Sequence, residues 1–157
     1  MEVRKIGSRK HIALVAHDNK KAGLIDWAAA NRHILSKHRL YATGTTGAML
    51  EEALDQSVTK FMSGPLGGDQ QVGSKIAEGK IDMLIFFWDP MEAQPHDPDI
   101  KALLRLAVVW NIPVACDKAT ADYILTSPLM NQEYDSVLPD YAIYLARLVK
   151  TPGTGKQ

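Results

Sequence analysis

Residues 81–88 read IDMLIFFW, and six apolar side chains follow one another from Met83 to Trp88. A strand wetted on one face alternates in polarity, whereas an unbroken apolar run fits a strand covered on both faces near the centre of a parallel sheet. Gly79 stops the helix-forming segment 70–78 before it, and a loop with three prolines, 89–98, follows it. Upstream, HIALVAH at 11–17 is a second short strand, followed by polar residues 18–21 and a long segment of helical spacing. A third strand, 40–42, runs through TGTTG at 43–47 into a helix at 48–54; a weaker strand, 59–62, runs through the loop 63–69 into the helix 70–78. Downstream come a helix at 99–110, a short strand at 112–116, a helix at 120–125 and an amphipathic helix at 140–150. Strands that alternate with helices need crossover connections, so the expected fold is α/β: an open, mainly parallel five-stranded sheet with helices on both faces.

At 157 residues the chain has the size of one domain, read as 1–150, with a frayed tail at 151–157. Eighteen basic residues balance eighteen acidic ones, so nothing favours nucleic acid or an anionic membrane as partner. Cys116, the single cysteine, closes an apolar strand and reads as a small core side chain. The first ten residues hold no apolar leader and no stretch is long enough to span a bilayer, which makes a reduced, cytoplasmic setting the expectation.

In an open α/β sheet, ligands bind beyond the carboxyl ends of the strands. The loops there carry His17, Asp18 and Lys21; Thr43, Gly44, Thr45, Thr46 and Gly47; Ser63, Gly64, Gly67, Gly68 and Asp69; and Asp89, His96, Asp97 and Asp99. Glycines that let backbone amides approach an anion, with hydroxyls at a helix start, suit one phosphate group. Taken singly, Thr45 reads first as an N-cap and the glycines as turn formers. Asp69 is either an N-cap or a carboxylate at the crevice mouth, and HDPD at 96–99 is either a helix start or a histidine set among acids. Neither glycine loop has the spacing of a Walker or dinucleotide motif, and no HxH or HExxH pattern supports a metal site. His11, His33 and His38 sit on strand starts or charged helical stretches and receive no role.

The segments KHIALVAHD, YATGTTG, SGPLGGDQQVG, IDMLIFFWDP and PHDPDIKALLRLA, in this order, resemble the signature segments of the bacterial methylglyoxal synthase family, over residues 9–150. That resemblance implies a Rossmann-like lyase that converts dihydroxyacetone phosphate to methylglyoxal and inorganic phosphate through an enediolate, in a bypass of glycolysis. It implies no cofactor and no metal, a homohexamer, and inorganic phosphate as product and allosteric inhibitor. Carried over by motif, Asp69 would be the base, His96 would contact the substrate oxygens and Asp99 would assist. His17, Lys21, Thr43, Gly44, Thr45, Thr46, Ser63 and Gly64 would bind substrate, mainly its phosphate. Asp18, Asp89 and Arg147 would support them. The same fold also resembles the effector-binding domain of carbamoyl phosphate synthetase and the cyclohydrolase of purine synthesis. The aspartate of GGDQQ and the histidine of PHDPD favour the lyase.

Overall fold

The computed structural model describes residues 2–92 and 97–149, with the side chains of 97–99 and 149 left out. Its centre is a five-stranded parallel sheet: β2 (His11–Ala16), β3 (Arg39–Thr43), β4 (Val58–Phe61), β5 (Met83–Phe87) and β6 (Val114–Ala115). The spatial order is β4-β3-β2-β5-β6. After β2 the chain moves outward to β3 and β4, then crosses back to lay β5 on the other side of β2. The carboxyl ends of β2 and β5 therefore flank the point where strand order reverses, which is where an open α/β sheet forms its crevice.

Burial follows the pleat. Ile12 and Leu14 of β2, with Met83, Ile85 and Phe87 of β5, enter one core beneath α1 (Lys21–Ala30), α3 (Gly44–Leu54) and α6 (Lys118–Leu125). Ala13 and Val15, with Leu84 and Phe86, enter a second core beneath α4 (Gly68–Ala77) and α5 (Asp97–Val109). All five residues of β5 are buried, as its unbroken apolar sequence requires. A short α2 (Arg32–Leu35) leads into β3.

Two elements depart from the expected layout. β1 (Glu2–Ile6) pairs antiparallel with β7 (Tyr134–Leu138) in a separate two-stranded ribbon, with Val3 opposite Val137. EVRKI and YDSVL are mixed in polarity, and most of their side chains stay in water, so neither carries the apolar run that marks the central strands. The helix α3 also begins at Gly44 rather than at residue 48, so GTTG at 44–47 is the first turn of a helix and not a loop before one. The last helix, α7 (Tyr141–Val149), leaves Ile143, Tyr144, Leu145 and Leu148 about 60 % exposed.

Candidate active site

A cleft of about 500 Å³ opens over the carboxyl ends of β2, β3, β4 and β5. Its walls include His17, Asp18, Lys21, Thr43, Gly44, Thr45, Thr46, Ser63, Gly64 and Asp69, which were assigned from three separate loops of the sequence. It also takes in Glu92, Phe86 and Ile100.

One wall of the cleft is built from two turns pressed together. Gly44, with φ of +52°, donates its amide to Met62 O at 3.2 Å, and a Cβ there would lie 3.1 Å from both Cα and Cβ of Ser63. Glycine takes that conformation at no steric cost, and a side chain there would also have to push Ser63 back. The cap of α3 is Thr43, with no side-chain capping bond, so Thr45 is not the cap and stands in the first turn, where amides lack intrahelical acceptors. Thr46 is 1 % exposed, and its Oγ1 has no hydrogen-bond partner among the described residues. A buried hydroxyl in a cleft wall, beside first-turn helix amides and the positive end of a helix dipole, is placed to meet an anion.

The second turn folds over Ser63 O, which accepts from the amides of Leu66 (3.0 Å) and Gly68 (2.9 Å). Any side chain at Gly68 would put its Cβ 2.0 Å from Met62 O, so the backbone there is packed to contact. Gln71 Oε1 accepts the Met62 amide at 2.8 Å and ties the turn down from α4. The cap of α4 is Gly67, with φ of +103°, and Asp69 is the second residue of the helix. The capping alternative for Asp69 is thereby set aside. Its carboxylate lines the cleft and passes close to Gly64, where a Cβ would stand 3.4 Å from Oδ2.

His17 and Asp89 meet across the strand switch. The Asp89 amide donates to His17 Nδ1 at 2.9 Å, and the ring rests edge-on against Phe86 with centroids 5.1 Å apart. Because Nδ1 accepts, the neutral imidazole carries its proton on Nε2. Glu92 Oε2, 3.8 Å from the same Nδ1, is a neighbour and not its bonding partner in that state. Asp89, 7 % exposed, does not line the cleft. Its carboxylate accepts from Asn19 Nδ2 (3.1 Å) and the Met91 amide (3.0 Å), and these bonds, that of Asn19 first, hold its carboxyl below the usual carboxylate range. It supports His17 through its backbone.

Lys21 Nζ bonds Asp18 Oδ1 at 2.8 Å, which keeps the largely exposed Asp18 carboxyl below its ordinary range. An incoming anion would have to share that cation with Asp18. Arg147 is exposed on α7 and is not in the cleft wall, so one chain does not bring it to the site. Asp99 lies in the first turn of α5, but its side chain, like all of His96, falls outside the described residues. Asn19, Gln71 and Glu92 were missed in the sequence: each acts through a tertiary contact that spacing along the chain does not encode. Among the described residues no three His, Cys, Asp or Glu side chains cluster as metal ligands.

A parallel sheet with two helix-start turns and a carboxylate in the wall of one cleft defines the class whose family model, the MGS-like domain, matches residues 23–116. The methylglyoxal synthase of Sodalis glossinidius is 61 % identical over 143 residues, covering 91 % of this chain and 94 % of that protein. That of Coxiella burnetii strain RSA 493 is 59 % identical over 140 residues, 89 % of this chain and 98 % of the other. The crystal structure of methylglyoxal synthase from Elizabethkingia anophelis NUHP1 superposes with a TM-score of 0.88 at 56 % identity, covering 99 % of this chain and 100 % of that one. The chain belongs to the methylglyoxal synthase family.

Proposed function

We propose that the cleft converts dihydroxyacetone phosphate to methylglyoxal and inorganic phosphate, with Asp69 as the base. The observation that carries this reading is the placement of Asp69 in the same wall as the Ser63–Gly64 turn and the Thr43–Thr46 helix start, a base beside a phosphate cradle. Asp69 takes a proton from the hydroxymethyl carbon, and the C–H electron pair passes into an enediolate whose charge develops on the former carbonyl oxygen. His17, proton on Nε2, is a donor available to that oxygen or to the neighbouring hydroxyl. The enediolate then gives up its hydroxyl proton, forms the aldehyde and expels phosphate from the third carbon. Protonation of the resulting methylene as the enolate reverts to a ketone completes methylglyoxal.

The cradle has two functions in this sequence. The Thr46 hydroxyl, the amides of the α3 turn and Lys21 stabilise the departing phosphate. They also fix the C–O bond out of the enediolate plane, the geometry from which the π system expels phosphate, whereas an isomerase holds that bond in the plane. His96 and Asp99 complete the proposal as a second contact to the substrate oxygens and an assisting carboxylate, and Asp18 and Asp89 support Lys21 and His17 respectively.

The chain further assembles as a homohexamer in this proposal, with inorganic phosphate as product and inhibitor and the cytoplasm as its location. The uncovered apolar residues of α7 support an assembly, because a patch of this kind normally meets another surface. No helix among the described residues is long and apolar enough to cross a membrane.

Asp69→Asn tests the assignment. Since Gly67 and not Asp69 caps α4, the fold and the affinity for inorganic phosphate should be kept while kcat falls by roughly 10³ or more. A variant with near-normal kcat would remove Asp69 as the base.

A further inference from the structure

At the opposite end of the sheet, beneath the amino ends of β2, β5 and β6, a second cavity of about 300 Å³ lies between the β1–β7 ribbon and the segment after α6. Its lining is chiefly apolar, with Met83, Ile112, Ile124, Leu129 and Met130 among the walls. Lys10 and Asp82 also line it, and both are more than nine-tenths buried.

The charges there do not balance. Asp82 is taken up by others: Oδ1 accepts from Arg4 at 2.7 Å and Oδ2 from the His11 amide at 2.8 Å. Lys10 Nζ donates to two carbonyls, Gly7 O at 2.7 Å and Gln132 O at 2.6 Å, and forms no ion pair among the described residues. Among the described residues two cations therefore face one carboxylate, and an ammonium with three protons has two acceptors. Lysine is almost never this buried without a counter-charge, because taking the ammonium out of water is costly. Burial accordingly pushes the Lys10 ammonium below its ordinary pKa, only partly offset by the field of Asp82.

We propose that this cavity is a binding site for a small monocarboxylate with a compact apolar body, its carboxylate on Lys10 and its hydrocarbon among Met83, Ile124, Leu129 and Met130. The volume is at the low end for a ligand pocket and suits about six carbons. A phosphate dianion fits less well, since one spare ammonium proton in an apolar chamber lacks the array of donors found at the α3 turn. The site is independent of the catalytic cleft, which lies across the sheet.

The test is a calorimetric titration of the full chain with 4-methylpentanoate and its neutral amide, in saturating inorganic phosphate so that the catalytic cleft is occupied. The carboxylate should bind in the millimolar range and the amide at least about tenfold more weakly, as expected for loss of a charged partner. Leu129→Trp, which fills the cavity from a half-exposed position, should abolish binding without altering turnover of dihydroxyacetone phosphate. Lys10→Met should erase the preference for the acid. If Lys10→Met does not fold, the amide comparison and Leu129→Trp decide. The proposal is overturned by no heat up to about 20 mM carboxylate, by equal affinity for acid and amide, by binding only when phosphate is left out, or by unchanged binding to Leu129→Trp.

Discussion

Replacing Thr46 with valine removes one hydroxyl and keeps the side-chain shape. Oγ1 is buried with no partner among the described residues, and a buried polar group left unsatisfied costs about 1–3 kcal/mol. In phosphate-free buffer Thr46→Val should therefore be more stable than wild type by that amount. For a chain of this length each kcal/mol raises Tm by about 2–4 °C. With ligand present that advantage is offset, because the hydroxyl's bond to a phosphate oxygen, a hydrogen bond to a charged group, contributes about 1.5–3 kcal/mol. KM for dihydroxyacetone phosphate and Ki for inorganic phosphate should both rise by about 10- to 150-fold, at roughly 1.4 kcal/mol per factor of ten. Thermal melts with and without phosphate, together with initial rates, read both effects. A lower Tm in phosphate-free buffer, or an unchanged KM, would refute the argument that this hydroxyl is held in reserve for the phosphate.

Lys21→Ala should weaken dihydroxyacetone phosphate and inorganic phosphate in parallel, by about 1–3 kcal/mol each, because one cation serves the group they share; a raised KM with unchanged phosphate inhibition would place the inhibitor elsewhere. His38 is fully buried, its Nδ1 accepts the Lys10 amide at 2.9 Å, and burial first, then Lys10, Lys37 and Arg9, pushes its imidazole below the ordinary 6.5. The unfolded chain then binds the proton more readily than the folded one, so the penalty is absent at higher pH and grows as pH falls below about 6.5. Melts at pH 7 and 5 should show wild type losing more Tm than His38→Gln, which cannot take up a proton; equal losses would mean that His38 does not couple folding to pH.

The sheet was legible because parallel strands buried on both faces leave unbroken apolar runs, as in 83–88 and 12–16. β6 was read as five residues and pairs over only two, Val114 and Ala115, since apolar sequence marks burial and not the end of a hydrogen-bonded ladder. β1 and β7 escaped notice because their pairing is contributed by the rest of the fold: Arg4, for example, reaches across to the Gly79 and Ile81 carbonyls and to Asp82. The cleft was legible in its first three loops, since each directly follows a strand. Its finer roles were not. Asp69 and Thr45 each had two readings in sequence, and only the positions of the caps at Gly67 and Thr43 separate them. The hold of Asp89 on His17 runs through a backbone amide, which any residue but proline could supply, so no side-chain pattern announces it.

The proposed reaction is an elimination from an enediolate at this cleft. It is tested most directly by giving wild-type protein dihydroxyacetone phosphate, in the presence of a chelator, and measuring methylglyoxal, inorganic phosphate and glyceraldehyde 3-phosphate together. A cradle that holds the phosphate C–O bond out of plane expels phosphate faster than the neighbouring carbon can be reprotonated. One phosphate should appear for each methylglyoxal, with little triose phosphate, whereas release of mostly glyceraldehyde 3-phosphate, or no turnover at all, would contradict the account.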